Sequence, residues 1–266
     1  METLENLLRA QDLRDLGEKE ISGRSRKIAE TLMGNYIIKK GEKMYAFVEI
    51  EFYLYTSTHQ DFITYPRDIE AGRWFFHDSG VDITFKSIDI EIETKSSGKE
   101  IVTLKGKPQF GGILIRGLYR FPYTDKMGHK IEAKYIFGPH NCVNELWDNF
   151  GIFKSDLDEY PVVQEALKGN AEIKKNEIPS YKRHIKIDWK KHTPDSKVRE
   201  WAKRLGLEVD PIKIDVNFNN KLKEYSTKLF HPSTIFYPYR YFNIIDGENT
   251  WKAINHLTLA EKDKLK

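Results

Sequence analysis

Two glutamates, Glu49 and Glu51, stand two positions apart inside Met44 to Tyr55, the longest run of β-branched and aromatic residues in the chain. Such a run predicts a strand. Side chains alternate faces along a strand, so Met44, Ala46, Val48, Ile50, Phe52 and Leu54 would form one apolar face. The other face would carry Tyr45, Phe47, Glu49, Glu51, Tyr53 and Tyr55. Carboxylates among aromatic rings are costly to bury unless something pairs or uses them. Strand spacing sets the two roughly 6 to 7 Å apart, a separation that suits the acid and base of an inverting sugar hydrolase. A solvent-facing strand with ordinary glutamates is the reading without chemistry.

Other candidates lie further along. Arg116, in Ile113 to Leu118, is expected to share a face with Leu114 and Leu118, where a guanidinium requires a designated partner, carboxylate or phosphate. His59-Gln60-Asp61 and His77 with Asp82 reproduce no recognised metal-site spacing, so neither a metal nor another cofactor is expected. Cys142 sits on the apolar side of a predicted helix with Leu146 and reads as a buried, inert thiol. Two basic ribbons, Tyr181-Lys182-Arg183-His184 and Trp189-Lys190-Lys191-His192, interleave cations with rings. That mixture can pair phosphates and stack bases, or form a solvated surface.

The elements that must position these residues are legible in outline. Ile28, Leu32 and Met33 fall at helical spacing within Arg24 to Met33, and Gly34-Asn35 ends that helix before Tyr36-Ile37-Ile38 opens a strand. Lys40-Gly41-Glu42 predicts a tight connection into the Met44 strand. Val81 to Glu93 alternates with one shift of phase, and Ser96-Ser97-Gly98-Lys99 turns it into Ile101 to Leu104 as a hairpin. Pro139 to Phe150 predicts a helix, as do Asp195 to Leu205 and Lys221 to Leu229, and Phe236 to Ile244 predicts an aromatic strand. Strands joined by hairpins, with helices towards both ends, predict a single α+β domain with a mostly antiparallel curved sheet. We place that domain at residues 23–250, after an N-terminal helical extension (1–22) and before a lysine-rich tail (251–266).

Composition bounds the rest. With 266 residues, 39% hydrophobic and 31% charged, the chain has material for one core and is not a disordered polyelectrolyte. A single cysteine excludes a disulfide framework and points to a reducing compartment. Met1 to Leu16 is amphipathic with four acidic residues, unlike a secretion signal, and no run is long and apolar enough to span a bilayer. These features predict a cytoplasmic or nucleoid-associated protein with no membrane partner. The net charge of +3 is compatible with a polyanion partner without requiring one.

Taken in chain order, several segments resemble the alkyladenine (3-methyladenine) DNA glycosylase family. Ala29 to Asn35 resembles its helix-to-strand entry, and Val48-Glu49-Ile50-Glu51-Phe52-Tyr53 is similar to its glutamate-threonine-glutamate-alanine-tyrosine strand. Tyr65-Pro66-Arg67-Asp68 resembles a threonine-proline-arginine-asparagine loop, and Ile113 to Leu118 a leucine-leucine-arginine-alanine-leucine strand. Gly138-Pro139 and Pro238-Tyr239-Arg240-Tyr241-Phe242 are similar to two later segments. The resemblance runs from about Gly23 to Asn243 and is loosest between Asn170 and Phe230.

It implies the family's fold and a monomer that flips a damaged purine out of DNA and cleaves its N-glycosidic bond in base excision repair. Glu51 would activate water, and Tyr53 would stack on the extruded base. His59, Phe76, His77 and Arg116 would complete the pocket. Arg67, Lys182, Arg183, Trp189, Lys190 and Lys191 would contact DNA. Where the family inserts a tyrosine into the duplex, this chain has Ser79, which would weaken flipping from intact duplex. A non-catalytic nucleic-acid binder on the same fold is the alternative.

Overall fold

Every strand-forming run with described residues finds an antiparallel neighbour, and the longest, β6 (Glu100–Arg120), is the spine on which the others assemble. The computed structural model describes residues 4–9, 13–148 apart from 60, 62, 63, 79 and 99, 160–165, 180–181 and 240–242. Along one edge of β6 runs β2 (Lys43–Thr56), paired from Tyr45 opposite Arg120 to Thr56 opposite Gln109. The other edge is shared in turn by β5 (Ile88–Thr94), β4 (Gly80–Thr84) and β9 (Lys134–Phe137). The far edge of β2 takes β1 (Tyr36–Lys40) beside its first residues and β12 (Arg240–Phe242) beside Glu49 to Glu51. Beyond these lie β10 (Val162–Glu165) on β1, β3 (Trp74–His77) on β4 and β11 (Ser180–Tyr181) on β12. A separate small hairpin joins β7 (Tyr123–Thr124) to β8 (Lys130–Ile131). Among the described residues the result is an α+β fold with one large curled antiparallel sheet and few helices.

Three helices are described: α1 (Leu4–Arg9), α2 (Glu18–Asn35) and α3 (Pro139–Trp147). The helix expected over Arg24 to Met33 begins earlier, because Gly17 serves as its N-cap and the Glu20 carboxylate accepts the Gly17 backbone N–H at 2.9 Å. The boundary placed after residue 22 therefore falls inside α2. Leu4, Leu7, Leu8, Leu13 and Ile21 are buried in the same core as Ile28, Leu32 and Met33. The N-terminal segment is thus part of the domain, since its leucines bury apolar surface that an independent extension would leave in water. At the other end of the core, Lys40 reaches the C-terminus of α3, its Nζ donating to the carbonyls of Asp148 at 2.9 Å and Glu145 at 3.5 Å. A cation there suits the negative end of the helix dipole.

The strict alternation expected along β2 is corrected by an irregularity. Phe47 pairs with Leu118, Glu49 with Gly117 and Ile50 with Ile115, so Val48 on one strand and Arg116 on the other are passed over. The main core accordingly takes Tyr45 and Phe47 from one phase of β2, then Ile50, Phe52 and Leu54 from the other. In β6 the same break separates Ile113 and Ile115 from Leu118, so Leu118 turns into the core rather than joining Arg116. Bulges of this kind re-aim side chains that ordinary alternation would send elsewhere. The segment read as one strand from Val81 to Glu93 is two, β4 and β5, and the expected hairpin at Ser96 to Lys99 joins β5 to β6 with Gly98 at φ 75°. Gly111, at φ 155°, crosses so close to β2 that a Cβ would lie 2.2 Å from the Tyr53 carbonyl oxygen.

No described helix is long and apolar enough to cross a membrane. The helices read at Asp195 to Leu205 and Lys221 to Leu229, both basic ribbons and the lysine-rich tail lie outside the described residues.

Candidate functional site

The break in register gathers Glu49, Glu51 and Arg116. The Arg116 guanidinium donates through Nε to Glu49 Oε1 at 2.8 Å and through Nη1 to Glu51 Oε2 at 2.9 Å. Tyr53 Oη–H donates to the same Glu51 oxygen at 2.9 Å. Both glutamates are about 1% exposed, whereas the Arg116 side chain is 22% exposed and forms the solvent side of the cluster. Burial pulls the Arg116 pKa down, but Glu51 and Glu49, with Tyr53, more than reverse this and hold it above the ordinary arginine value. Two desolvated carboxylates thus share one permanently charged guanidinium, an arrangement that survives burial because its lone pairs are met by charge-assisted hydrogen bonds.

Gly117 makes this approach feasible. A Cβ there would lie 2.9 Å from the Glu49 Cβ and 3.1 Å from the Phe137 ring. Gly117→Ala is therefore expected to cost about 1–3 kcal/mol, as overpacked interiors do, and to displace Glu49 from Arg116. Denaturant titration measures the first effect. A cost unchanged in a Glu49→Gly background, which removes the Cβ in question, would show that Glu49 is not the group obstructed.

A second charged cluster occupies the same face. Glu51 and Asp82 both pair with Leu114, one from each side of β6, so the three form one row across the sheet. Asp82 Oδ2 accepts from Arg67 Nη1 at 2.7 Å, and Oδ1 lies 3.0 Å from His77 Nε2. Arg67 also donates through Nε to the Tyr65 carbonyl at 3.1 Å, and its guanidinium carbon lies 4.0 Å from the Phe75 ring centroid. Burial alone would raise the Asp82 pKa, yet Arg67 and His77 hold it below the ordinary carboxylate range. Burial pushes Arg67 down, with Asp82 opposing, and arginine's basicity keeps it charged. Gly112 leaves the space this needs, since a Cβ there would lie 2.9 Å from Arg67 Nη1.

Of the residues read from the sequence, Glu51, Tyr53 and Arg116 meet directly, and His77 joins the second cluster, with its ring 4.9 Å from that of Tyr65. Phe76 is half exposed and packs edge-on against Trp147 at 4.8 Å, on the strand face opposite to Phe75 and His77. His59 is buried where the loop after β2 closes, its backbone N–H donating to Thr56 Oγ1 at 2.9 Å. Arg67, expected on DNA, is 1% exposed and bound to Asp82, so in this conformation it orients Asp82 rather than meeting a phosphate. Lys182, Arg183, Trp189, Lys190 and Lys191 lie outside the described residues. Asp82 is the residue that sequence reasoning undervalued. Its signal was one acid in an otherwise uncharged strand, Gly80-Val81-Asp82-Ile83-Thr84.

Among the described residues, no three His, Cys, Asp or Glu side chains come together as a metal site would require. Cys142 is buried, and burial pushes its thiol pKa well above the ordinary value, which makes it a poor nucleophile.

Fold and site together define an α+β protein whose curled sheet carries two guanidinium–carboxylate clusters in one row. No protein-family model matches the chain, and no solved structure matches it. An uncharacterized protein of Acanthamoeba polyphaga mimivirus is 32% identical over 161 residues, which is 56% of this chain and 67% of the viral protein. The chain belongs to the same family as that viral protein.

Proposed function

We propose that this chain is an N-glycosidic hydrolase acting on a modified purine in DNA, on a fold similar to that of the alkyladenine DNA glycosylases. The observation that carries the reading is the convergence of Glu51, Tyr53 and Arg116, the residues the resemblance selects, in one hydrogen-bonded cluster. Cleaving an N-glycosidic bond passes through an oxocarbenium-like sugar, which needs an anion beside it and a base for the attacking water. Glu51 supplies both. Arg116 and Tyr53 both donate to one of its oxygens, which fixes the orientation of the carboxylate. The sheet face continues past Glu49 into Phe137, Tyr135 and Tyr119, half-buried rings that suit planar bases. We place the protein, as a monomer, in the cytoplasm or at the nucleoid.

One observation favours a second reading. Arg116 bridges Glu49 and Glu51 as a purely structural ion cluster would, and a nucleic-acid binder on this scaffold could retain it. The same bridge counts against a sugar hydrolase using Glu49 and Glu51, because that mechanism holds a sugar and a water between the two carboxyls, where the Arg116 guanidinium already contacts both.

The deciding experiment incubates the protein and its Glu51→Gln variant with single- and double-stranded oligonucleotides containing hypoxanthine, ethenoadenine or alkylated purines, then exposes abasic sites with alkali. Scission by the wild type alone supports the glycosylase. Salt-sensitive binding by both proteins without scission would replace it with the binder.

A further inference from the structure

An antiparallel strand directs the N–H and C=O groups of every second residue away from its neighbour, so a strand at the end of a sheet offers a row of hydrogen-bonding groups to whatever lies beside it. β10 and β3 stand at the two ends of the strand order. β10 pairs with β1 from Tyr36 opposite Glu165 to Lys39 opposite Val162, and among the described residues no segment pairs with its other edge. Val162 is 51% exposed, so that edge is open to solvent. Curling of the sheet brings the two ends together. Trp74 Nε1, on β3, donates to the carbonyl of Pro161, the residue before β10, at 3.0 Å. A single indole spanning the gap sets the two backbones roughly 10 Å apart, about two strand spacings. Such a gap accepts one strand.

The gap is a groove of about 1190 Å³ between Val162–Glu165 and residues 69–74. Gly72 N–H donates to the Thr84 carbonyl at 2.8 Å and Thr84 N–H to the Arg73 carbonyl at 3.0 Å, which carries the pairing of β3 on β4 back along the groove. Its floor is apolar, made by Leu4 and Leu8 of α1 with Tyr36 and Ile83. α1 is fixed beneath it, because Leu4 N–H donates to Tyr36 Oη at 3.1 Å and the Leu8 carbonyl accepts from Lys86 N–H at 3.3 Å. Charge is uneven along the groove. Glu70 is paired with Lys86 at 3.8 Å, whereas Arg73 is exposed and has no ion pair among the described residues. Arg73 adjoins Trp74 and so lies at the Pro161 end, while Glu165 stands at the other end of β10. The Pro161 end therefore favours an acidic group.

We propose that this groove is a docking site for an extended, acidic segment of another protein, which adds to the edge of β10 and closes the sheet. The segment's backbone pairs with the outward groups of β10. Its alternate apolar side chains face Leu4, Leu8 and Ile83, and an acidic residue meets Arg73. Main-chain pairing supplies affinity in this mode of recognition, and the side-chain contacts supply the choice of sequence. Trp74 packs on the core side of the sheet, so the site is separate from Glu51 and independent of the chemistry proposed there.

The test uses the full chain and a capped eight-residue peptide in which valine alternates with threonine and one threonine is replaced by aspartate. Hydrogen exchange of the protein's amides is followed with and without the peptide. Those of Val162–Glu165 that point away from β1 are expected to exchange freely in the protein alone, and to slow about tenfold once the peptide stands at ten times its Kd. The same peptide N-methylated at alternate residues lacks the donors and should protect nothing. Lysine in place of the aspartate should weaken binding a few-fold, and Arg73→Glu, an exposed substitution, should reverse that preference. No protection of β10 at millimolar peptide, or equal protection by the methylated peptide, would overturn the proposal. Amides already slow in the dilute protein would show that another part of the chain pairs the edge. Slowing that grows with protein concentration would place a second copy there. Either result would overturn the proposal in favour of that occupant.

Discussion

Glu51→Gln is expected to reduce single-turnover release of a susceptible base by about 10²–10⁴-fold, the range over which a positioned acid–base group acts, while the protein stays folded. Gln keeps the size and the hydrogen-bonding shape of Glu, so Tyr53 can still donate to a side-chain oxygen. Glu49 still pairs with Arg116 at 2.8 Å. What disappears is the negative charge beside the sugar and the site that takes the water proton. The loss should therefore appear in the chemical step with little change in oligonucleotide affinity, and because the interaction is made chiefly in the transition state, kcat and kcat/KM should fall together. A variant that cuts as fast as the wild type would remove Glu51 from the chemistry. One that melts far below the wild type would show that its charge chiefly holds the sheet together.

The second large effect is on stability. Arg67→Met is expected to destabilise the protein by about 3–5 kcal/mol, the usual cost of leaving a buried charge without its partner. Asp82 and Arg67 are each buried to within 2% and lie 2.7 Å apart. His77 would remain beside Asp82, but its one contact to Oδ1 leaves the Oδ2 that Arg67 held without that partner. The double variant Arg67→Met with Asp82→Leu should recover much of the loss, because burying two apolar groups leaves no charge uncompensated. Chemical denaturation of the four proteins forms a double-mutant cycle, and additive costs would show that the pair is not coupled.

The same pair sets an acid limit. Because Arg67 and His77 hold the Asp82 pKa below its ordinary value in the folded protein, the unfolded chain binds that proton more readily. The pair's contribution is present above the unfolded carboxylate value and is lost as pH falls through the depressed folded value. Removing Arg67 should move acid unfolding to higher pH.

Much of the local structure is legible from residue order alone. The α2-to-β1 junction, the turn at Gly41, the hairpin at Ser96 to Lys99 and the helix opening at Pro139 all follow from periodicity and turn chemistry within a few residues of each other. The requirement that Arg116 have an acidic or phosphate partner was also legible, because a cation in an apolar strand is too costly without one. Which partner it takes was not. Strict alternation along β2 places Glu49 and Glu51 on one face but cannot reveal the slip in pairing between Phe47 and Ile50, since a bulge exists only when two strands are laid together. Arg67 looked like a surface cation for the same reason. Its loop, Tyr65-Pro66-Arg67-Asp68, is polar by sequence, and only the closure of that loop over Gly112 buries it against Asp82.

The sequence by itself determined an antiparallel α+β protein with a glutamate-bearing strand, because hydrophobic period and turn residues act over short distances along the chain. Tertiary structure alone decided that Leu4, Leu7, Leu8 and Leu13 belong to the core and that Arg116 bridges two glutamates. It also decided that Glu51 and Asp82 share one row across β6. Those outcomes depend on register and on contacts between residues tens of positions apart, where burial, not local propensity, selects the partner.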